Sequence, residues 1–408
     1  MASLQLRTDV TRRLRLPKAV DLIAFALCVA QALYLLTSHL LTHWPLEANG
    51  YTASDFVNVW AAGQLALQGT PALAYDLVAH RQAQVAAVGH DFSGNFPWYY
   101  PPIYLFVATG LASFPYLTAW VGWSLATFPA YLAAIRAIIG ERVAIFLACA
   151  FPAVLSNVLV GQNGFLTAGL LGGTLATMER RPWLAGCFLG LLTYKPHLGL
   201  LFPIVLIAAG RWRVFAAAAA TATALSLASL AAFGPDAWYA FVHALAAGSQ
   251  STLSQGSTGW GKLQTTYGFV RWLGGSEALA WSVHGLVVVT CAITLCVLWR
   301  SRIPFVLKAA ALATGALLAT PYLFLYDLIA VAVPMAFLLR AGMASEVATY
   351  EWVGLGLASL SILLYPAFEA PVGIPALLIV ASLVGTRVLK QSVPSRQTAP
   401  DIIAPSPI

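Results

Sequence analysis

The stretch ALAWSVHGLVVVTCAITLCVLW, at residues 278–299, contains no Asp, Glu, Lys or Arg and is followed at once by Arg300. A helix rises about 1.5 Å per residue, so a stretch of this length can cross the ~30 Å hydrocarbon core of a bilayer. Apolar runs of similar length lie at 19–41, 117–139, 214–233 and 322–339. Shorter ones lie at 101–114, 143–160, 165–178, 183–194, 198–209, 305–319, 352–365 and 371–388. The pattern predicts an all-α polytopic membrane protein with about 10–13 transmembrane segments.

The composition supports this class. Of the 408 residues, 60% are apolar and 9% are charged, whereas soluble domains contain about 25% charged residues. The net charge of +7 comes from Lys and Arg beside the apolar runs, where they attract anionic lipid headgroups, and it implies no nucleic-acid partner. The five cysteines all lie within apolar runs. We therefore expect buried thiols rather than disulfides or metal ligands.

The basic residues predict the orientation of the chain. Those before the first apolar run are Arg7, Arg12, Arg13, Arg15 and Lys18. This run is too long for the apolar region of a cleaved signal peptide, so it predicts a membrane anchor. Because Lys and Arg accumulate on the cytoplasmic side, we expect a cytoplasmic N-terminus at 1–18, a transmembrane domain at 19–391 and a disordered cytoplasmic tail at 392–408. Residues 42–100 and 234–276 would then be external.

One region breaks this alternation. Arg136 and Arg142 also look cytoplasmic, yet two apolar runs, 101–114 and 117–139, separate them from the external residues 42–100. An odd number of crossings is needed between opposite sides of a membrane. One of the short runs in this region is therefore re-entrant or not a crossing.

The first external loop contains the acid that we select as a candidate catalytic base. We expect a helix there with Ser54 as its N-cap and Asp55 in its first turn. The face of this helix that we expect on the membrane surface consists of Phe56, Trp60, Gly63 and Leu67. A lone carboxylate just outside the bilayer can act as a base toward a lipid-borne substrate. The alternative is that it only stabilises the helix dipole.

A second helix is expected at about residues 75–88 of the same loop. Its Asp76 and Arg81 are candidates for binding substrate, although helix capping is the simpler explanation of Asp76. His80, His90 and Asp91 lie nearby, but their spacing matches no standard set of metal ligands. We therefore predict no metal site and no cofactor, and the requirement for a divalent metal stays open.

Residues 183–210 are bounded on both sides by arginine pairs and are too short for two full crossings, which need about 40 residues. We expect a membrane hairpin that turns at Lys195 and Pro196, since proline removes a backbone donor. A lysine at this depth needs a partner. A substrate phosphate is one candidate, and an internal acid such as Asp327 is the other. His197 is a weaker candidate for binding the same phosphate.

Three further polar pairs are candidates for binding substrate. They are Gln162 and Asn163, Lys262 and Gln264, and Tyr326 and Asp327. The first pair lies in a break that we expect at a depth similar to that of the hairpin tip. The second pair follows a Ser- and Gly-rich stretch, 248–261, that we expect to be a flexible external loop. The third pair lies at the external end of a late apolar run, where tyrosines are often interface anchors.

Several short motifs occur in a fixed order relative to the apolar runs. They are Asp55-Phe56, Trp60-Ala61-Ala62-Gly63, Tyr75-Asp76, Tyr100-Pro101-Pro102, Gly161-Gln162-Asn163, Lys195-Pro196, Arg211-Trp212-Arg213, Thr320-Pro321-Tyr322 and Tyr326-Asp327. Each motif is weak alone, but their order over residues 52–334 resembles glycosyltransferase family 87. That family has a GT-C fold and uses polyprenyl-phosphate sugars, and it includes mycobacterial mannosyltransferases that act on phosphatidylinositol mannosides.

The resemblance implies a GT-C-like bundle and an inverting glycosyltransferase. Such an enzyme would move mannose or a similar hexose from a polyprenyl-phosphate donor to a lipid or glycan acceptor. The family's external aspartate, its catalytic base, corresponds to Asp55. The expected location is the bacterial inner (plasma) membrane, with the active site facing the periplasm or exterior. The stretch 69–74 is longer than the usual turn, and no signature of a mannolipid acceptor is present, which leaves the acceptor open.

Other classes of function predict different features. A polytopic transporter or lipid flippase would favour paired ionisable residues near the midplane and internal symmetry, whereas the acids here cluster toward the external face. A non-catalytic scaffold would tolerate replacement of Asp55 and Lys195. No Gly-rich phosphate loop follows a strand in this sequence, so a lipid-linked donor is favoured over a nucleotide sugar.

Overall fold

The computed structural model describes residues 16–42, 51, 53–94 and 96–392. Most of the expected cytoplasmic N-terminus and nearly all of the expected disordered tail lie outside these ranges, so neither prediction is tested. The described residues fold into α-helices joined by short 3₁₀ turns. In the same part of the chain the β-structure is limited to an isolated antiparallel bridge between Leu263 and Phe324. The prediction of an all-α protein is confirmed.

The helices follow one another with few long connections. In chain order they are α1 (Lys18–Thr42), α2 (Phe56–Leu67), α3 (Leu77–Val88), α4 (Leu105–Ala112), α5 (Tyr116–Ile139), α6 (Val143–Ala150), α7 (Ala153–Val160), α8 (Gly164–Thr177), α9 (Pro182–Leu191), α10 (Phe202–Ala208), α11 (Trp212–Ser249), α12 (Thr266–Trp272), α13 (Glu277–Arg300), α14 (Phe305–Ala319), α15 (Ala332–Ser345), α16 (Thr349–Leu363), α17 (Tyr365–Phe368) and α18 (Gly373–Ser392). The 3₁₀ turns that matter for the site are Leu192–Tyr194, Pro196–Gly199, Trp260–Lys262 and Leu325–Val331.

Six helices of the described chain are long enough to count as full crossings, and the expected total of 10–13 segments, which includes shorter apolar runs, stays a prediction. Within the described ranges six helices are long and apolar enough to cross a membrane: Lys18–Thr37, Tyr116–Ile139, Trp212–Ser254, Glu277–Arg300, Leu325–Ser345 and Gly373–Gln391. A seventh crossing results if α6 and α7, which bend by 64° at their junction, form one broken span. The other apolar runs form helices of at most 17 residues, shorter than the roughly 20 residues that one crossing needs.

The short helix α4 removes the conflict around Arg136 and Arg142. Residues 102–112 form a 3₁₀ turn and the eight-residue helix α4, and a helix of that length spans only about 12 Å. With α4 excluded as a crossing, α5 alone separates the expected external loop from the two arginines. The expected orientation then needs no re-entrant segment between them.

The centre of the molecule is formed by α8, α14 and α15. Almost every residue of α14 from Leu307 to Ala319 and of α15 from Ala332 to Leu339 is buried. Outer helices keep large apolar side chains exposed, as at Leu286, Ile293 and Val297 of α13. An exposed apolar surface on a long helix fits contact with lipid rather than water.

Helices α2 and α3, which we expect on the external side, pack on the helical body. Phe56 is fully buried and stacks on Trp120 of α5, and the indole N–H of Trp60 donates to the Phe114 carbonyl at 3.0 Å. Gly63 lies directly against α4, where a Cβ would be 2.0 Å from the Ala108 carbonyl oxygen. The face expected on the membrane surface is therefore turned mostly inward, and Leu67 is its one strongly exposed member. The amphipathic pattern predicted which face of α2 is apolar. That face packs on α4 and α5 rather than on the membrane surface.

Helices α9 and α10 form the predicted hairpin. Along α9, Gly186 lies against Ala217 and Gly190 against Thr221, so α9 runs parallel to the start of α11. The intervening α10 must therefore run back. Consistent with this reversal, Glu179 before α9 lies 3.6 Å from Arg211 after α10 in an ion pair. Lys195 lies at the turn, between two 3₁₀ segments.

The stretch 234–276, the second one that we expect to be external, is more ordered than the sequence predicts. Helix α11 continues through a kink at Gly234, whose φ is 78°, as far as Ser249, and a π-helical turn, Gln250–Ser254, follows it. Leu253 is buried, and its carbonyl accepts from the Tyr267 hydroxyl at 2.5 Å. The stretch 248–261 is therefore held in place by the contact of Leu253 with Tyr267 of α12, and it is not a free flexible loop. The five cysteines are free and partly buried, as predicted.

Candidate active site

Asp55 stands directly before α2, which begins at Phe56. Its backbone is already helical (φ −56°, ψ −22°), and its side chain caps no backbone N–H. The expected N-cap, Ser54, does not cap either, and its hydroxyl lies 3.4 Å from the Tyr116 hydroxyl. The predicted Ser54 cap is therefore wrong. Asp55 therefore makes no capping hydrogen bond, and the alternative that it stabilises the dipole of α2 stays open.

Burial raises the pKa of Asp55 to about 6, because a carboxylate loses solvation inside the protein. The positive charge of Lys262, a hydrogen bond from Gln162 and the charge of Lys195 oppose this shift, while the charge of Asp327 adds to it. Four residues that are distant in sequence thus act on Asp55, and all four are among the predicted substrate contacts. At neutral pH this carboxylate is ionised and can accept a proton, and its pKa is close to that of an effective base.

The break between α7 and α8 forms one wall of the site. Gln162 and Asn163 are both buried. The Tyr100 hydroxyl donates to Oε1 of Gln162 at 3.2 Å and accepts from Nδ2 of Asn163 at 2.8 Å. The Tyr194 hydroxyl donates to the Asn163 carbonyl at 3.3 Å. The break at Gln162 and the hairpin tip therefore meet, in agreement with the predicted similar depth.

Lys195 is paired with Asp327. Its Nζ lies 2.5 Å from Oδ1 of Asp327, and both side chains are almost fully buried. Asp327 also accepts from the Phe324 backbone N–H at 3.2 Å, and Lys195 lies 4.9 Å from the centre of the Tyr326 ring. Asp327, the internal acid that the sequence offered as a partner, is thus in contact with Lys195, and contact of Lys195 with a phosphate stays a prediction.

His197 is held two residues further on. Its Nδ1 lies 2.8 Å from the Thr320 hydroxyl oxygen, and its ring lies 6.0 Å from that of Tyr322. The hairpin tip thus brings the Thr320-Pro321-Tyr322 motif next to Lys195. Contact of His197 with a phosphate stays a prediction.

Lys262 and Gln264 follow each other on one turn but differ in environment. Gln264 is fully buried, where it donates to the Gly261 carbonyl and accepts from the Gly373 backbone N–H, both at 2.7 Å. These contacts fix the chain. Lys262 is exposed, and its charge acts on Asp55.

Asp76 and Arg81 make local contacts instead. Asp76 caps α3 by accepting from the N–H groups of Val78 and Ala79, at 3.0 and 2.8 Å. Arg81 pairs with Asp91 at 2.7 Å and donates to the carbonyl of Phe92. These contacts account for both residues structurally, and a role in binding substrate stays a prediction.

The residues His80, His90 and Asp91 differ in their surroundings. His80 is buried, and burial lowers its pKa to about 4. His90 and Asp91 are exposed. Over the described ranges no three His, Cys, Asp or Glu side chains form a group that could hold a metal ion.

Sequence reasoning missed a group of aromatic residues behind the site. Tyr104 stacks on Trp98 and on Tyr194, with ring centres 5.7 and 4.8 Å apart, and Tyr100 lies 4.7 Å from Tyr104. Trp98 is only 1% exposed. The repeated aromatics beside Pro101-Pro102 were the available signal. Their packing involves Tyr194 of the 3₁₀ turn Leu192–Tyr194, which is far away in sequence.

The geometry defines an all-α polytopic membrane protein with a polar site enclosed between its helix breaks. A family model for glycosyltransferase family 87 matches residues 98–321, more than half of the chain. The chain therefore belongs to glycosyltransferase family 87 and is a glycosyltransferase. No curated protein and no solved structure matches it. The matched residues contain the Gln162 break and both lysines of the site, while Asp55 precedes them and Asp327 follows them.

Family membership also decides between the functional classes that the sequence left open. The buried Lys195–Asp327 pair is the kind of feature that a transporter predicts. A transferase family match over half of the chain outweighs a single ion pair. The protein is an enzyme.

Proposed function

We propose that the protein is an inverting glycosyltransferase that moves mannose or a similar hexose from a polyprenyl-phosphate donor to a lipid or glycan acceptor. Asp55 is the general base in this proposal. The donor phosphate lies on the basic side of the site, where Lys195, His197 and Lys262 are found. We place the enzyme in a bacterial plasma membrane, with the site facing the periplasm or exterior.

The reaction needs one base and one cation. The acceptor hydroxyl oxygen bonds to the anomeric carbon, and the bond from that carbon to the phosphate oxygen breaks. The electron pair of the broken bond stays on the phosphate, which gains one negative charge, and the hydroxyl proton moves to Asp55. Attack from the face opposite the phosphate inverts the anomeric carbon. A phosphate leaves without protonation, so a second acid is not required, unlike in glycoside hydrolysis.

The observation that carries the proposal is the state of Asp55. Its carboxylate caps no helix, and its pKa is raised to about 6 by burial beside Gln162 and the two lysines. Burying a carboxylate without a capping bond costs stability, and such groups cluster at active sites. A structural acid would make the contacts that Asp76 makes.

The test compares Asp55→Asn with Asp76→Asn. Both changes replace an acid directly before an external helix, but only Asp55 faces the site. Membranes containing each variant receive a panel of radiolabelled polyprenyl-phosphate sugars, and transferred label is measured at matched expression. Asp55→Asn should lose about 10²–10⁴ in rate, whereas Asp76→Asn should keep nearly all of it, because Asn is also a good N-cap.

Two results would contradict the proposal. Near wild-type transfer by Asp55→Asn would remove Asp55 from the role of base. Transfer from a nucleotide sugar by purified protein, with no polyprenyl phosphate present, would remove the lipid donor.

A further inference from the structure

Four charged side chains surround the proposed reaction, and only two of them are paired. Lys195 and Asp327 form a buried ion pair. Asp55 and Lys262 influence each other through their charges but are not in contact closer than 4 Å. Among the residues that the structure describes, the Lys262 ammonium has no ion-pair or hydrogen-bond partner. One cation of the site is therefore available to a substrate.

The main chain that carries Lys262 is nevertheless held rigidly. Gly261 is packed so closely on the loop after α17 that a Cβ would lie 1.7 Å from the Glu369 carbonyl oxygen. On the other side, Leu263 pairs with Phe324 in the antiparallel bridge, and the Gln264 N–H donates to the Leu323 carbonyl at 2.7 Å. A free lysine on a fixed turn is arranged in advance for a ligand.

The same bridge connects Lys262 to the buried pair. The Phe324 N–H donates to Asp327, and Asp327 holds Lys195. The turn of Lys262, the 3₁₀ turn Leu325–Val331 and the hairpin tip thus share one scaffold. Lys262 stands on its exposed side and Lys195 on its buried side.

We propose that Lys262 is the residue that binds the donor phosphate and stabilises the charge that develops on it, and that the Lys195–Asp327 pair positions the scaffold. This inference rests on the proposed function. As the bond between the anomeric carbon and the phosphate oxygen breaks, its electron pair adds one negative charge to the phosphate. An unpaired ammonium beside that oxygen stabilises this charge more in the transition state than in the substrate.

Lys195 is unsuited to the same contact. To reach a phosphate it would have to leave Asp327 as a buried carboxylate without a partner, which is strongly destabilising. With the pair intact, its charge is already neutralised. Asp327 would also repel the leaving phosphate if Lys195 moved away.

The experiment measures binding of polyprenyl phosphate, the product, to purified protein in detergent, together with donor kinetics. Lys262→Ala should weaken binding and lower kcat/KM for the donor by about 10²–10³. Lys262→Arg should recover part of the loss, because it keeps the charge with a different geometry. The matched control is Lys390→Ala, an exposed lysine in the last turn of α18, which should bind and turn over like wild type.

A second pair of variants tests Lys195. Lys195→Met alone leaves the buried Asp327 carboxylate without a partner, and this variant is expected to unfold. It is therefore combined with Asp327→Leu, so that apolar side chains replace the buried pair. The double variant should bind polyprenyl phosphate with close to wild-type affinity, although its turnover falls because the scaffold has changed. A loss of binding in the double variant, with normal binding in Lys262→Ala, overturns the assignment.

The outcomes also separate this inference from the proposed function. If the wild type binds polyprenyl phosphate and Lys262→Ala binds it equally well, only the role of Lys262 is wrong. If the wild type neither binds polyprenyl phosphate nor uses its sugar esters, the proposed donor is wrong, and the assignment of Lys262 is overturned with it.

Discussion

At the scale of single residues, Asp55 and Asp76 show how similar sequence positions acquire different chemistry. Each stands directly before a helix of the external layer. Asp76 accepts two backbone N–H groups, whereas Asp55 accepts none from its own helix. The difference arises from chain segments more than a hundred residues away, which bury Asp55 and supply the hydrogen bond from Gln162 and the charges of Lys195 and Lys262 in place of a helix cap. A carboxylate left in this state is costly for the fold and useful for proton transfer.

The pKa of Asp55 predicts a pH below which the rate of transfer falls. A base works only when deprotonated, so transfer should fall as the pH falls through about 6, approaching a tenfold loss per unit below it. Initial rates at saturating donor between pH 5 and 8 measure this limit. In Lys262→Ala the limit should move to higher pH, because the charge that lowers the pKa of Asp55 is gone.

The control for this pH profile is Lys390→Ala, whose limit should match that of the wild type. Rates that stay constant from pH 5 to 7 in the wild type would show that no group with this pKa limits the reaction.

At the scale of helices, the contact between α2 and α4 sets the position of Asp55. The two helices touch at Gly63 and Ala108, and the Gln64 side chain donates to the Ala112 carbonyl at 2.6 Å. The backbones approach so closely that only glycine fits at position 63. Asp55 stands directly before the first residue of α2. The close contact at Gly63 therefore helps to set the position of its carboxylate.

Gly63→Ala should separate these helices. The new Cβ would lie 2.0 Å from the Ala108 carbonyl and 2.7 Å from the Ala112 Cβ, and overpacking of this kind costs about 1–3 kcal/mol. We expect a lower melting temperature and a reduced kcat/KM, measured on purified protein. The control is Gly110→Ala on α4, where a Cβ meets nothing within 4 Å. If Gly63→Ala melts and reacts like Gly110→Ala, the close contact does not position Asp55.

At the scale of the whole molecule, the arrangement of charge fits one orientation in the membrane. We place the site and helices α2 and α3 on the external side, while the basic residues after α13 mark the end of that helix that we place in the cytoplasm. Along the chain, Ser257 and α12 come before α13, and Arg302 comes directly after it. Chemical labelling before and after α13 can therefore show which side of the membrane each end of the helix faces.

Ser257→Cys should react with a membrane-impermeant thiol reagent added outside intact cells. Arg302→Cys should react only after the cells are opened, because we place the end of α13 that carries basic residues in the cytoplasm. Both positions are exposed, and both variants are made in a background without the five native cysteines. Labelling of Arg302→Cys alone from outside would reverse the orientation and the proposed location of the site.

The sequence alone determined the membrane class, the long helices and the hairpin at Lys195. These follow from composition and from breaks that each stretch carries within itself. It also selected the candidates for the site, because charged and amide side chains within or between apolar runs are few and costly. Asp327 lies within such a run, Gln162 and Lys195 lie in breaks between runs, and Asp55 is an acid of the loop 42–100.

The tertiary structure decided which of these residues meet and what each does. Lys195 and Asp327 are 132 residues apart, yet they form a buried pair, and α2 packs on α4 rather than along the membrane. Several apolar runs fold as helices of at most 17 residues. Such outcomes depend on packing between distant segments, which local propensity and hydropathy do not encode. For the same physical reason, only the fold shows that the Asp55 side chain makes no capping bond, and that Lys195 is paired while Lys262 has no ion-pair or hydrogen-bond partner within the described ranges.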